Sequence, residues 1–114
     1  MKARIYHNPR CSKSRATLAL LEQRGVELEI VDYLATPPSK ATLSELLRKL
    51  GGPALAMVRT GEPEFKPHAS RELRDDDVIE LLADTPRLLQ RPIVEVGDKA
   101  RIGRPPEQVL ELLE

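Results

Sequence analysis

Apolar residues along this chain switch between alternate and helical spacing, and each switch marks an element. Ala3 to Tyr6 reads as a short opening strand. From about Ser12 to Arg24 the spacing is helical, with Ala16, Leu20 and Leu21 as inner positions and Gly25 as the C-terminal stop. Val26 to Tyr33 then alternates, setting Val26, Leu28 and Ile30 against Glu27 and Glu29, the pattern of a strand with one wet face. Strand, helix and strand in this order predict a β-α-β unit whose two strands run parallel.

Thr36-Pro37-Pro38 interrupts the chain, and Ser39 suits the N-cap of a following helix. Leu43, Leu46, Leu47 and Leu50 keep helical spacing up to Gly51-Gly52, so this leucine stripe is assigned to the core. Ala54 to Val58 predicts a short helix that delivers Arg59 into a loop rich in Pro, Glu and Gly. A further helix is expected over Asp76 to Ala83, and Asp84-Thr85-Pro86 opens another short turn. Pro92 to Val96 and Lys99 to Ile102 flank Gly97-Asp98, a sequence with the chemistry of a tight hairpin turn. Arg104-Pro105-Pro106-Glu107 starts a final helix that carries Val109, Leu110, Leu112 and Leu113. The order β-α-β, helical middle, β-β-α predicts an α/β fold of the thioredoxin-like kind. Its sheet is small, mixed and four-stranded, with flanking helices and a helical insertion, in a single domain over residues 1–114.

Composition narrows the function. At 114 residues the chain can build a core without disulfides or metal. Lys plus Arg and Asp plus Glu number 18 each, so no global field draws it to nucleic acid or a membrane. Tyr6, Tyr33 and Phe65 are the only aromatics, too few for a base-stacking platform. A lone cysteine fits a reducing compartment, and no stretch resembles a signal peptide or a membrane span. A cytoplasmic monomer with no bound cofactor is expected. His7, His68 and Cys11 lack the spacing of a metal site.

The chemistry concentrates at Cys11, where the opening strand gives way to a helix inside His7-Asn8-Pro9-Arg10-Cys11-Ser12-Lys13-Ser14-Arg15. A thiol at a helix N-terminus meets unpaired N–H groups and the positive end of the helix dipole, which favour the thiolate. His7, Arg10, Lys13 and Arg15 add positive charge nearby. Such surroundings lower a cysteine pKa from about 8.5 to roughly 3.5–7.5. The same groups would hold an oxyanion. Pro92 opens a core strand where thioredoxin-like folds commonly carry a cis peptide beside the catalytic cysteine, so Arg91-Pro92 is expected to be cis. Arg59, Arg91 and Arg104 each sit at an element boundary, and a guanidinium fork suits a tetrahedral oxyanion. Spacing alone does not make them meet, and Arg101 competes with Arg104 for the same role.

His7-Asn8-Pro9-x-Cys11-x-x-Ser14-Arg15, then Arg91-Pro92-Ile93-Val94, then Arg104-Pro105 followed by Glu107 resemble the glutaredoxin-coupled arsenate reductase family, in its short arsenate reductase-like branch. Tyr33-Leu34, Pro37-Pro38 and the segment around Arg59 extend the resemblance over nearly the whole chain. It implies that Cys11 is the nucleophile that bonds arsenic and that His7 helps keep the thiol ionised. It further implies that Arg59, Arg91 and Arg104 hold the oxyanion, with Ser14 and Arg15 as further substrate-binding positions of the motif. The implied reaction reduces arsenate to arsenite, with glutathione as co-substrate and glutaredoxin as partner, the chain having no second thiol of its own. Two alternatives share the superfamily. An Spx-type regulator that binds RNA polymerase would carry a Cys-x-x-Cys switch, but Ser14 stands at its second position. A thiol oxidoreductase acting on glutathione mixed disulfides would usually have proline where this chain has Ser12.

Overall fold

A computed structural model describes residues 1–114. Strand β1 spans Lys2–His7, helix α1 Ser12–Gln23 and strand β2 Glu27–Asp32. β1 and β2 run parallel, with Ala3 opposite Leu28 and Ile5 opposite Ile30. Helices α2 (Lys40–Leu50) and α3 (Asp75–Asp84) follow, interspersed with 3₁₀ turns at Ala54–Met57, Pro63–His68 and Pro86–Leu88. β3 (Ile93–Val96) and β4 (Lys99–Ile102) form the expected antiparallel hairpin. Its turn places Gly97 at φ +58°, where a residue without Cβ meets little steric cost. β3 also pairs antiparallel with β1, which gives a mixed four-stranded sheet of order β2-β1-β3-β4. No helix is long and apolar enough to cross a membrane.

The chain folds as two compact units, Met1–Thr36 with Arg91–Glu114, and Pro37–Gln90. In the first, strand alternation directs Ala3, Ile5 and Val94 to one sheet face, where they pack with Leu21 of α1 and with Val109 and Leu112. On the opposite face, Tyr6 Oη donates to Glu95 Oε1 at 2.9 Å, and Arg4 Nη1 donates to the same oxygen at 3.2 Å. Glu95 is therefore buried with its charge satisfied. Burial and the Glu95 carboxylate push the Tyr6 phenol up to about 12.

In the second unit, Ser39 Oγ accepts the Thr42 N–H at 3.1 Å and starts α2, which ends at a left-handed Gly51. α2 buries Leu43 and Leu46, and α3 buries Val78, Ile79 and Leu82. The chain closes on itself where Gln90 N–H donates to the Met57 carbonyl at 2.7 Å.

Three local expectations change. The buried stripe of α1 is Ser14, Thr17 and Leu21, and Ala16 is exposed. Hydroxyls can line that stripe because each finds a partner, Thr17 Oγ1 donating to the Lys13 carbonyl at 2.8 Å and Ser14 Oγ meeting His7. Ile30 is 53% exposed because β2 is the sheet edge. The final helix over Pro106–Leu113 is 3₁₀ rather than α, so residues three apart eclipse, and Pro106, Val109 and Leu112 form its buried edge. Arg91-Pro92 is cis as expected, and Gly52-Pro53 and Arg104-Pro105 are cis as well.

Candidate active site

The loop after β1 is built by its own polar groups. Asn8 Oδ1 accepts the Arg10 N–H at 2.9 Å, and the Asn8 carbonyl accepts the Cys11 N–H at 3.0 Å. This Asx turn is what asparagine followed by proline favours. It sets Cys11 in the N-cap position of α1 with an extended backbone, and the Arg15 N–H closes the first helical bond onto the Cys11 carbonyl at 3.0 Å. The thiol is half-buried and in no disulfide. It makes no capping hydrogen bond of ordinary geometry, yet the Ser14 and Lys13 amides act on its charge.

Two arginines reach the sulfur from the far end of the sequence. Arg104 Nη2 donates to Cys11 Sγ at 3.5 Å, and Arg104 Nε donates to the Arg91 carbonyl at 2.8 Å. The Arg91 guanidinium favours the same thiolate, and its Nη1 lies 3.5 Å from Tyr33 Oη. Although burial resists Arg91's charge, Cys11 and Tyr33 raise its pKa. For Cys11, burial pushes the thiol up, but the Ser14 amide, Arg91, the Lys13 amide and Arg104 together hold it below its ordinary value. The anion therefore persists to lower pH than that of a free thiol. Stability from the anion is complete above the ordinary thiol range and is lost as pH falls through the lowered value.

His7 supports this arrangement through Ser14. Its Nδ1 lies 2.6 Å from Ser14 Oγ, which also accepts the Asn8 N–H at 3.0 Å. Burial and the Arg15 charge hold His7 below its ordinary value, against an opposing pull from Asp32. The imidazole, counted among the positive charges from its position in the loop, is thus biased toward neutrality. Its link to the thiol runs through the residue whose amide favours the anion.

The remaining candidates separate. Arg101 Nε donates to Glu111 Oε2 at 3.2 Å and its Nη1 to the Ala100 carbonyl, so of Arg101 and Arg104 it is Arg104 that reaches the thiol. Arg15 is exposed and donates to the Pro9 carbonyl at 2.9 Å. Arg59 belongs to the second unit. There its Nε and Nη2 grip Glu62 Oε1 at 3.1 and 2.9 Å, and Nη1 donates to Gln90 Oε1 at 3.4 Å. Arg87 Nη2 joins the same carboxylate at 2.9 Å, and Arg59 with Arg87 holds Glu62 below the usual carboxylate range. Gly103, which bonds the Pro92 carbonyl, and Thr17, which lies against Gly103, could not be singled out from the sequence because neither carries the chemistry that marks a site. Gly103 follows a strand end directly before Arg104, a position that could have marked it.

A thiol biased toward its anion, with two guanidinium groups and two helix amides acting on its charge, has the chemistry to attack and hold a tetrahedral oxyanion. Comparison with known proteins points the same way. Residues 6–112 match the ArsC family model. YfgD of Escherichia coli K12, a protein described as uncharacterized, is 50% identical over 98% of this chain and 97% of its own length. An arsenate reductase of Neisseria meningitidis serogroup A is 44% identical over 96% of this chain and 97% of its own. The structure of an arsenate reductase from Vibrio cholerae superposes with a TM-score of 0.93 at 46% identity, covering 98% of both chains.

Proposed function

We propose, from the premise that this chain belongs to the ArsC family, that it reduces arsenate to arsenite with Cys11 as nucleophile. The observation that carries the proposal is Arg104 Nη2 at 3.5 Å from Cys11 Sγ, with Arg91 acting on the same sulfur. Arsenate and a thiolate repel each other, and cations at the meeting point offset that repulsion in a partly desolvated site. The relatives named arsenate reductase supply the substrate class.

In the proposed sequence the Cys11 thiolate attacks arsenic(V), forming an S–As bond. One arsenate oxygen leaves as water after taking up protons. Arg91, Arg104 and the Ser14 and Lys13 amides hold the remaining oxygens. The thiolate of glutathione then attacks Cys11 Sγ. The S–As bond breaks with its electron pair left on arsenic, releasing arsenite and leaving a Cys11–glutathione disulfide. A glutaredoxin thiolate attacks the glutathione sulfur, which frees Cys11. Two thiols are oxidised to one disulfide for each arsenic reduced by two electrons. Because Cys11 is the sole cysteine, both reducing thiols come from other molecules. His7 and Ser14 hold the helix amide at the thiol. The roles that the resemblance gives Arg59 and Arg15 rest on motif position, since Glu62 and the Pro9 carbonyl engage these side chains.

The test is arsenite production from arsenate with glutathione, glutaredoxin and an NADPH-driven recycling system. Turnover should vanish in Cys11→Ser and on omission of either external thiol component. Undiminished turnover by Cys11→Ser would overturn the proposal. Faster reduction of a glutathionylated peptide than of arsenate would reassign the substrate.

A further inference from the structure

Arg104 reaches the thiol from a stretch of backbone with no room beside it. Its neighbour Gly103 is buried, and the Gly103 N–H donates to the Pro92 carbonyl at 2.9 Å. A Cβ on Gly103 would lie 2.6 Å from Thr17 Oγ1 and 2.8 Å from Pro92 Cγ, closer than real Cβ atoms approach. Neither wall yields readily. Thr17 is buried in α1 with its hydroxyl bound to the Lys13 carbonyl at 2.8 Å, and Pro92 is a buried closed ring. Gly103 is not among the glycines with positive φ, so the position uses its lack of a side chain rather than its conformational freedom.

The two walls belong to the elements that carry the rest of the site. Thr17 sits on the helix that Cys11 caps, and Pro92 follows Arg91, whose carbonyl accepts Arg104 Nε at 2.8 Å. Contact at Gly103 therefore fixes the exit of β4 against both at once. We infer that Gly103 is a positioning residue: its bare backbone lets the β4 exit close on Thr17 and Pro92, and that closure sets the Arg104 guanidinium at the Cys11 sulfur. A side chain there would displace the segment by a sizeable part of an ångström. The Arg104–Cys11 contact, already 3.5 Å, would be lost. The inference rests on the reading of Cys11 as a nucleophile with Arg104 as its cation; it does not require arsenate as the substrate.

The experiment is the pH profile of Cys11 alkylation by iodoacetamide, with circular dichroism and thermal unfolding on each protein. Gly103→Ala should raise the midpoint by about one pH unit, the size of effect an opposite charge at this range exerts. The double variant Gly103→Ala/Arg104→Gln should show no further rise beyond Arg104→Gln alone. Adding Thr17→Ala to Gly103→Ala removes the nearer wall and should bring the midpoint part of the way back, because Pro92 Cγ still stands 2.8 Å from the added Cβ. A folded Gly103→Ala with the wild-type midpoint overturns the inference, and so does a shift fully additive with that of Arg104→Gln. Should Gly103→Ala not fold, the Gly103→Ala/Thr17→Ala variant carries the test, because Pro92 Cγ still stands 2.8 Å from the added Cβ: a midpoint above wild type but below that of Arg104→Gln supports the inference, and a wild-type midpoint overturns it. Arsenate turnover measured alongside separates the two readings, since absent turnover with a responsive midpoint removes the substrate and keeps the role of Gly103.

Discussion

Ser14 ties the thiol loop together, because its hydroxyl meets His7 Nδ1 and the Asn8 N–H while its own amide favours the Cys11 anion. The neutral bias of His7 gives this network a pH dependence. Its folded pKa is below the ordinary 6.5, so on acidification the unfolded chain takes up the proton first. Stability should therefore decline as pH falls from 6.5 toward the lowered value, and His7→Asn should lose that part of the decline. Urea unfolding of both proteins at pH 7 and pH 5 checks this, and equal losses would refute it. The setting of Cys11 was legible in the sequence because strand end, turn and helix start are local signals. The burial of Ser14 and Thr17 was not, since a pattern rule seeks apolar side chains and a hydroxyl is buried only where a partner meets it. For Ser14 that partner is on β1. The choice between Arg101 and Arg104 was likewise a matter of direction: Arg101, on β4, is directed to Glu111, and Arg104 lies just beyond the strand.

Elements whose ends carry chemical stops were the most readable. Ser39 caps α2 through the Thr42 N–H and Gly51 closes it in the left-handed region, as local composition requires. Ser39→Ala should cost about 1 kcal/mol of unfolding free energy, read from a shifted urea midpoint at unchanged slope. The hairpin was readable for the same reason, Gly97-Asp98 being flanked by alternating residues. The last segment was legible as helical but not in type. Over Pro106–Leu113, periods of 3.0 and 3.6 select nearly the same residues. The bond from Gln108 N–H to the Pro105 carbonyl at 3.0 Å expresses the tighter winding.

At the scale of the molecule, the first unit depends on one apolar layer between sheet and helix. Leu21 is fully buried there with Ile5 and Val94. Leu21→Ala should destabilise by about 2–5 kcal/mol, the range for deleting a buried leucine side chain, with thermal unfolding as the measurement. β1 holds the centre of the sheet, parallel to β2 and antiparallel to β3, so its C-terminal end brings His7 and the thiol loop to the start of β3 at Arg91-Pro92. The sequence by itself determined the element order, the caps, the hairpin and the place of a lone thiol at a helix start, because each depends on residues within a few positions of one another. Only the tertiary structure decided which arginine meets the sulfur and why residue 103 has no side chain. Those outcomes depend on groups 86 to 93 positions apart, between Thr17 and Gly103 or Cys11 and Arg104, which meet only when the sheet and helix close on each other.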